Sequence, residues 1–283
     1  MLSQALHERK PFDQDFPFKM FVSNLGKFPP HWHEEMEIIY VVEGNIDIGL
    51  NHEIHTLNTR DILMIGPGEV HHFLDGQETR KILVVQFGMA LLDQSFSIFG
   101  DRRFVTPLID CNNAEQSLHA VHKKLEAQIL QILDEYQNRK EGYRLAMKAR
   151  LFDMMVVLLR EVAWESYSVT EKNRRLIRLE RLQNVFQYVE DHYSQELSLE
   201  KAANVANFSV FHFTRFFKES TGMTFGDYVS SYRIGKAEVL LKNTEESMTE
   251  IAFKLGFNSI KTFNRVFKEL KRCSPSVYRK SNI

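Results

Sequence analysis

An α+β chain of two domains is the fold class the sequence predicts: a small N-terminal β-barrel or sandwich backed by an antiparallel helix pair, then an all-α domain. Three observations predict it. Short β-type runs broken by turns fill His31 to Phe87, a helical period takes over near Ala114, and the last hundred or so residues contain an internal repeat. A length of 283 residues lets each half bury its own core.

The elements follow in order. Residues 1–25 carry scattered apolar positions and read as an irregular arm or edge strand. The β-branched runs Ile38–Val42 and Ile82–Val85, and the alternation Ile46, Ile48, Leu50, mark strands. Turn residues separate them at Glu43-Gly44-Asn45, Gly66-Pro67-Gly68 and Asp75-Gly76. Several short strands at this spacing suit a small barrel, and residues 1–112 are assigned to arm and barrel.

Residues 113–165 read as two helices. Leu118, Val121, Leu125, Ile129, Ile132 and Tyr136 form one stripe, and Leu145, Ala149, Phe152, Val156, Leu159 and Ala163 a second. Such stripes usually pack within the chain. Leu133, Met155 and Val162 add another apolar face, so a homodimer seam is also expected, with Leu118, Leu125, Ile129, Ile132, Leu133 and Tyr136 at it. The polar stretch 166–175 is taken as a linker, and 176–283 as the second domain.

The repeat is explicit. Ala203-x-x-x-Asn207-Phe208 returns 49 residues later as Ala252-x-x-x-Gly256-Phe257. Ser209-x-x-x-Phe213-x-Arg215-x-Phe217-Lys218-Glu219 returns 50 later as Ser259-x-x-x-Phe263-x-Arg265-x-Phe267-Lys268-Glu269. Each copy predicts a short helix with a small crossing residue, a left-handed turn at Asn207 or Gly256, a serine cap, and a second helix. Ser247-x-x-Glu250 predicts a capping box.

With Phe213, Phe216 and Phe217 inward in the first copy, and Phe263, Val266 and Phe267 in the second, the first of the two second helices turns out Phe211, His212, Thr214, Arg215 and Lys218. The other turns out Ile260, Lys261, Thr262, Asn264, Arg265 and Lys268. Arg pairs bidentately with guanine and Asn with adenine, while Thr and apolar groups meet the thymine methyl. Arg215 and Arg265 are therefore expected in the major groove, with Lys218 and Lys268 on phosphates. Surface ion pairing is the plain alternative for the two arginines. A helix over Phe225–Lys242 spans roughly 27 Å at ~1.5 Å per residue and holds the reading helices about one DNA turn apart.

Charge agrees with a polyanionic partner. From Glu171 onward, 19 Lys/Arg face 13 Asp/Glu, a balance of +6, while the remainder carries −7. Two distant cysteines, Cys111 and Cys273, make neither a disulfide framework nor a zinc motif, which fits a reducing cytoplasm. The start, MLSQALHERKPF, lacks a signal peptide's apolar stretch, and no apolar run nears the ~20 residues of a membrane helix.

Residues from about Leu176 to Arg279 resemble the DNA-binding domain of the AraC/XylS family of bacterial transcription regulators. The resemblance rests on Ile251-Ala252-Phe253-Lys254-Leu255-Gly256-Phe257, the Phe-x-Arg-x-Phe-Lys core and the closing Ser274-Pro275-Ser276-Val277-Tyr278-Arg279. Arg272 departs from it, standing where the family usually has glycine after the second reading helix. Upstream, His31-x-His33-x-x-x-Glu37 and Gly68-x-x-His71 resemble cupin metal motifs, with Arg60 and Gly66 where a cupin usually has Gly and Pro. The resemblance implies a cupin-like sensor barrel binding a small-molecule effector, a carbohydrate among the candidate classes.

His31, His33, Glu37 and His71 would line the effector pocket or hold a divalent metal; no other cofactor is expected. His52, His55 and His72 are assigned to surface or loop. RNA polymerase enters as a partner implied by the resemblance, activation is the expected sense of control, and the chain is not expected to be an enzyme. Two readings compete. One is a constitutive dimeric DNA-binding protein without effector, and the other a metal-dependent cupin enzyme with an appended DNA-binding domain.

Overall fold

The computed structural model describes residues 15–23, 28–51, 53–76, 80–92, 101–112 and 116–281. The arm before residue 15, and His52, lie outside them.

Eleven strands and nine helices are described. The strands are β1 (Phe18–Ser23), β2 (Phe28–His31), β3 (Met36–Glu43), β4 (Asn45–Leu50), β5 (Glu53–Asn58), β6 (Ile62–Ile65), β7 (His71–Gly76), β8 (Lys81–Phe87), β9 (Arg102–Phe104), β10 (Leu108–Ile109) and β11 (Trp164–Ser166). The helices are α1 (Gln116–Asn138), α2 (Tyr143–Glu161), α3 (Val169–His192), α4 (Leu199–Val205), α5 (Val210–Thr221), α6 (Phe225–Asn243), α7 (Met248–Lys254), α8 (Ile260–Lys271) and α9 (Pro275–Ser281).

Two antiparallel sheets make the first domain, ordered β1-β8-β3-β6-β10 and β2-β7-β4-β5. The five-stranded sheet is covered on both faces, which is why β3 and β8 read as unbroken apolar runs. Met36, Ile38, Tyr40, Leu83 and Val85 pack toward the helix pair. Ile39, Val41, Ile82 and Val84 meet Ile46, Ile48 and Leu57 of the other sheet. Tyr40 and Arg60 both donate to the Glu126 carboxylate of α1, at 2.6–2.9 Å. Arg60 adopts φ 76°, the left-handed conformation for which a glycine is the natural choice. The tie to Glu126 gives a reason to keep arginine there.

Three expectations are corrected here. First, residues 166–175 are not a linker. Trp164–Ser166 pairs with β9, and α3 starts at Val169 behind a complete capping box of Ser168 and Glu171. Second, α2 buries the opposite face from the one predicted. Met147, Leu151, Met154, Met155 and Leu158 are in the core, whereas Leu145, Phe152, Val156 and Leu159 are exposed. Both sets fit a helical period, and only packing against α1 selects between them. Third, Leu125, Ile129 and Ile132 cannot form a partner seam, because α1 is sandwiched between sheet and α2 and buries them in the chain's own core. Leu133 and Tyr136 pack on that same core, and Leu118 is half-buried.

The second domain has two cores joined by α6. Phe186, Phe213, Phe217 and Tyr228 centre the first, and Ile234, Leu241, Phe263 and Phe267 the second. Trp32 and Val70 of the barrel pack into the first core.

Candidate functional site

The two helix-turn-helix units form as the repeat predicts. Asn207 (φ 55°) and Gly256 (φ 82°) make the left-handed turns. Ser209 accepts from the His212 amide, and Ser259 from the Thr262 amide. Ser247 and Glu250 close the expected capping box on α7. Gly222 and Arg272 end α5 and α8 in matching left-handed conformations, φ 75° and 60°. Arg272 thus keeps the geometry of its glycine counterpart despite its Cβ, at a cost of about 1 kcal/mol.

The burial pattern divides each second helix cleanly. Phe213 and Phe217, and Phe263, Val266 and Phe267, are buried. Phe211, His212, Thr214, Arg215 and Lys218 are exposed on α5, as are Lys261, Thr262, Asn264, Arg265 and Lys268 on α8. Ile260 is the exception: it is half-buried and packs on the second core, so less of it is available to a ligand. His212 Nδ1 and Thr262 Oγ1 each lie 3.0 Å from the capping serine hydroxyl, and Thr214 returns its hydroxyl to the Val210 carbonyl.

Arg215 and Arg265 carry the clearest symmetry. Arg215 Nε donates to Glu219 at 2.6 Å, and Arg265 Nη1 to Glu269 at 2.8 and 2.9 Å, each pair four residues apart on an exposed face. The plain ion-pair reading is thus satisfied within each helix. Exposed pairs of this kind contribute little stability, so either arginine can exchange its glutamate for another acceptor at small cost.

In the barrel all four cupin-type residues meet, and each is at most 2% exposed. His31 and His71 stand opposite each other across β2 and β7. His33 Nε2 lies 3.1 Å from Glu37 Oε2, and His71 Nε2 3.6 Å from Glu37 Oε1. Each histidine faces a backbone carbonyl through Nδ1: His31 to Pro29, His33 to Glu35 and His71 to Glu69, at 2.9–3.0 Å. A carbonyl only accepts, so each Nδ1 carries hydrogen and the three Nε2 atoms face one another, mutually within 4.8 Å.

Burial raises the Glu37 carboxyl, but the charges of His71 and His33 and the His33 hydrogen bond outweigh it and hold it at about 2. Burial, then His71, drives His31 well below its ordinary value. Gln86 was not anticipated. It donates to Glu37 Oε2 at 2.5 Å from the directly opposed position of β8. Its parity with Ile82 and Val84 was the available signal: a polar residue on an inward-facing position.

His72 corrects another expectation. It is a buried strand residue, not a surface one, seated between Gly49 of β4 and Gly222 at the end of α5. Burial and then His71 hold its ring at about 4, so it is neutral at physiological pH. His55 lies on β5, half-buried.

Comparison with known proteins gives two family matches. The AraC-like ligand binding domain matches residues 24–155, and the helix-turn-helix domain 202–281. The transcriptional activator RhaR of Mannheimia succiniciproducens is 26% identical over 257 residues, covering 89% of this chain and 87% of that protein. The Tn10 TetD protein of Escherichia coli is 35% identical over 102 residues, covering 36% of this chain and 74% of that one. A solved structure of ToxT from Vibrio cholerae is 15% identical, covering 93% of this chain and 98% of that one, with a TM-score of 0.47. Among the described residues, no helix is long and apolar enough to cross a membrane.

Proposed function

This chain belongs to the AraC family of transcription regulators, as an effector-responsive DNA-binding protein, and we propose that α5 and α8 read two adjacent major-groove segments of one asymmetric site. The observation that carries this is the matched placement of Arg215 and Arg265 on exposed faces of two equally capped helices. α6, with 19 residues and a length of ~28 Å, sets their separation. Lys218 and Lys268 flank the arginines for phosphate contact.

The effector site is the barrel interior around His31, His33, Glu37 and His71, and a carbohydrate is the class we assign to it. Control runs toward activation through RNA polymerase, in the sense that the name of the activator RhaR carries. The chain works in the cytoplasm as a regulator and not as an enzyme. A second copy docks on the exposed α2 stripe of Leu145, Phe152, Val156 and Leu159. Electrophoretic mobility shifts on the upstream region of its operon, with and without a sugar panel, test the assignment. Sequence-selective binding altered by one sugar is the expected result, and binding that no duplex competes for selectively overturns it.

One observation favours a second use of the barrel cluster. Three Nε2 atoms and a carboxylate converge in a buried site, and each ring is oriented by a carbonyl behind it, as metal-bound imidazoles are; an ion would take the place of the proton that His33 Nε2 shares with Glu37. His31, His33, His71 and Glu37 would hold a divalent ion, which would supply a charge for an effector's hydroxyl or carboxylate oxygens. Metal analysis after equilibration with zinc or manganese tests this: one equivalent lost in His33→Ala supports it, and uptake independent of His33 removes it.

A further inference from the structure

A cleft of about 330 Å³ lies where the barrel meets α3. Asn51, Gly68 and Val70 wall it on the barrel side, and Leu179 and Ser220 on the other. Four guanidinium groups line it: Arg103 from β9, and Arg174, Arg175 and Arg178 from α3. Glu171 is the acidic residue in the lining, and its carboxylate accepts the Ser168 amide at 2.7 Å in the α3 cap. Buried Glu69, behind the cleft, is turned to the Gly66 amide and the Asn51 side chain.

Arg103 pairs with Glu165 at 2.6 Å, and Arg175 donates to the Pro67 carbonyl while lying 4.9 Å from the Tyr167 ring centre. Gly68 permits this approach, since a Cβ there would come within 2.9 Å of the Arg175 guanidinium. Among the described residues Arg174 and Arg178 make no hydrogen bond or ion pair to a carboxylate; Glu171, held in the α3 cap, acts on Arg174 and Arg103 through charge alone. Arg174 and Arg178 stand four apart on one helix face, where like charges repel. A cluster of this kind is stabilised by an anion, and guanidinium forks match the oxygens of a phosphate.

We propose that this cleft binds a small phosphate dianion and that the bound anion ties the barrel to α3. The volume exceeds what a phosphate group alone needs, so a small phosphomonoester is the ligand class that fits. The DNA backbone is a poorer match, because the same guanidinium groups share the cleft with Asn51, Gly68 and Val70 of the barrel. The site is separate from the reading faces of α5 and α8 and from the histidine cluster, so its test stands when theirs fail.

Calorimetry and thermal shift on the full-length chain use three probes: inorganic phosphate, glucose 6-phosphate and glucose. Saturable binding of a phosphate probe is expected, weakened at least tenfold in the double variant Arg174→Gln, Arg178→Gln. Both positions are exposed, and the variant's melting temperature without ligand checks its fold. Tighter binding of glucose 6-phosphate than phosphate assigns a phosphomonoester, and equal binding assigns free phosphate. The proposal is overturned by no saturable binding of either phosphate probe, by equal binding of glucose, or by binding undiminished in the variant. It is also overturned if the variant's one defect is a shallower salt dependence of DNA binding, which would place these arginines on the DNA backbone.

Discussion

His71 and His72, adjacent on β7, face opposite ways: the first joins the buried histidine cluster and the second presses on Gly49 and Gly222. Alternation along a strand makes this unavoidable. The strand that carries His71 of the histidine cluster therefore also touches the C-terminal cap of α5. A shift of β7 on ligand binding would move both contacts together, which gives the two domains a physical route for coupling.

Shortening His72 should break that route while sparing DNA binding. In His72→Ala, affinity for the operator without effector is expected within about threefold of wild type, and the effector-induced change is expected to vanish. Titrating DNA with and without effector measures both. An undiminished effector response removes His72 from the coupling.

Gly49 should be intolerant of any side chain. A Cβ there would sit 1.9 Å from His72 Cε1, so Gly49→Ala forces rearrangement and is expected to destabilise by about 1–3 kcal/mol. Combining it with His72→Ala should recover most of that loss, and denaturant midpoints of the four proteins measure the coupling. Additive losses would show that the two residues do not share the space.

Much of this molecule was legible in its sequence. The repeat located both helix-turn-helix units because capping serines, left-handed turns and inward phenylalanines are local requirements. The face of α2 was not legible, since Met147, Leu151 and Leu158 and the rival Leu145, Phe152 and Leu159 satisfy the same period. Residues 166–175 were read as a linker because the charge-rich run from Glu171 to Arg175 hid the Ser168-x-x-Glu171 cap of α3. His31, His33, Glu37 and His71 were found by motif. Gln86 and His72 depend on strand pairing and domain packing, which no local pattern records.

The α2 surface yields a contrast. Phe152→Glu charges an exposed apolar stripe and is expected to shift a dimer to monomer in sedimentation, with the melting temperature retained. Ile129→Asp buries an unpaired carboxylate in the core and is expected to prevent folding. A dimer that survives Phe152→Glu would place the partner elsewhere.

Acid stability should report Glu37. Its folded value of about 2 lies below the ordinary 4.5 of an unfolded glutamate. The folded chain thus binds fewer protons between those values, so the contribution is complete above pH 4.5 and is lost as pH falls toward 2. The total is about 3 kcal/mol. Glu37→Gln should flatten that part of the stability profile, read from denaturant midpoints between pH 5 and 3. An unchanged slope would mean the carboxyl is not held down.

Footprinting of the full-length chain on its own operator bears most directly on paired groove reading. Wild type should protect two segments about one helical turn apart on one face of the duplex. Arg215→Ala should expose one segment and Arg265→Ala the other, each weakening binding by about 5- to 150-fold. Protection confined to a single groove, or a pattern that neither substitution changes, would contradict the account.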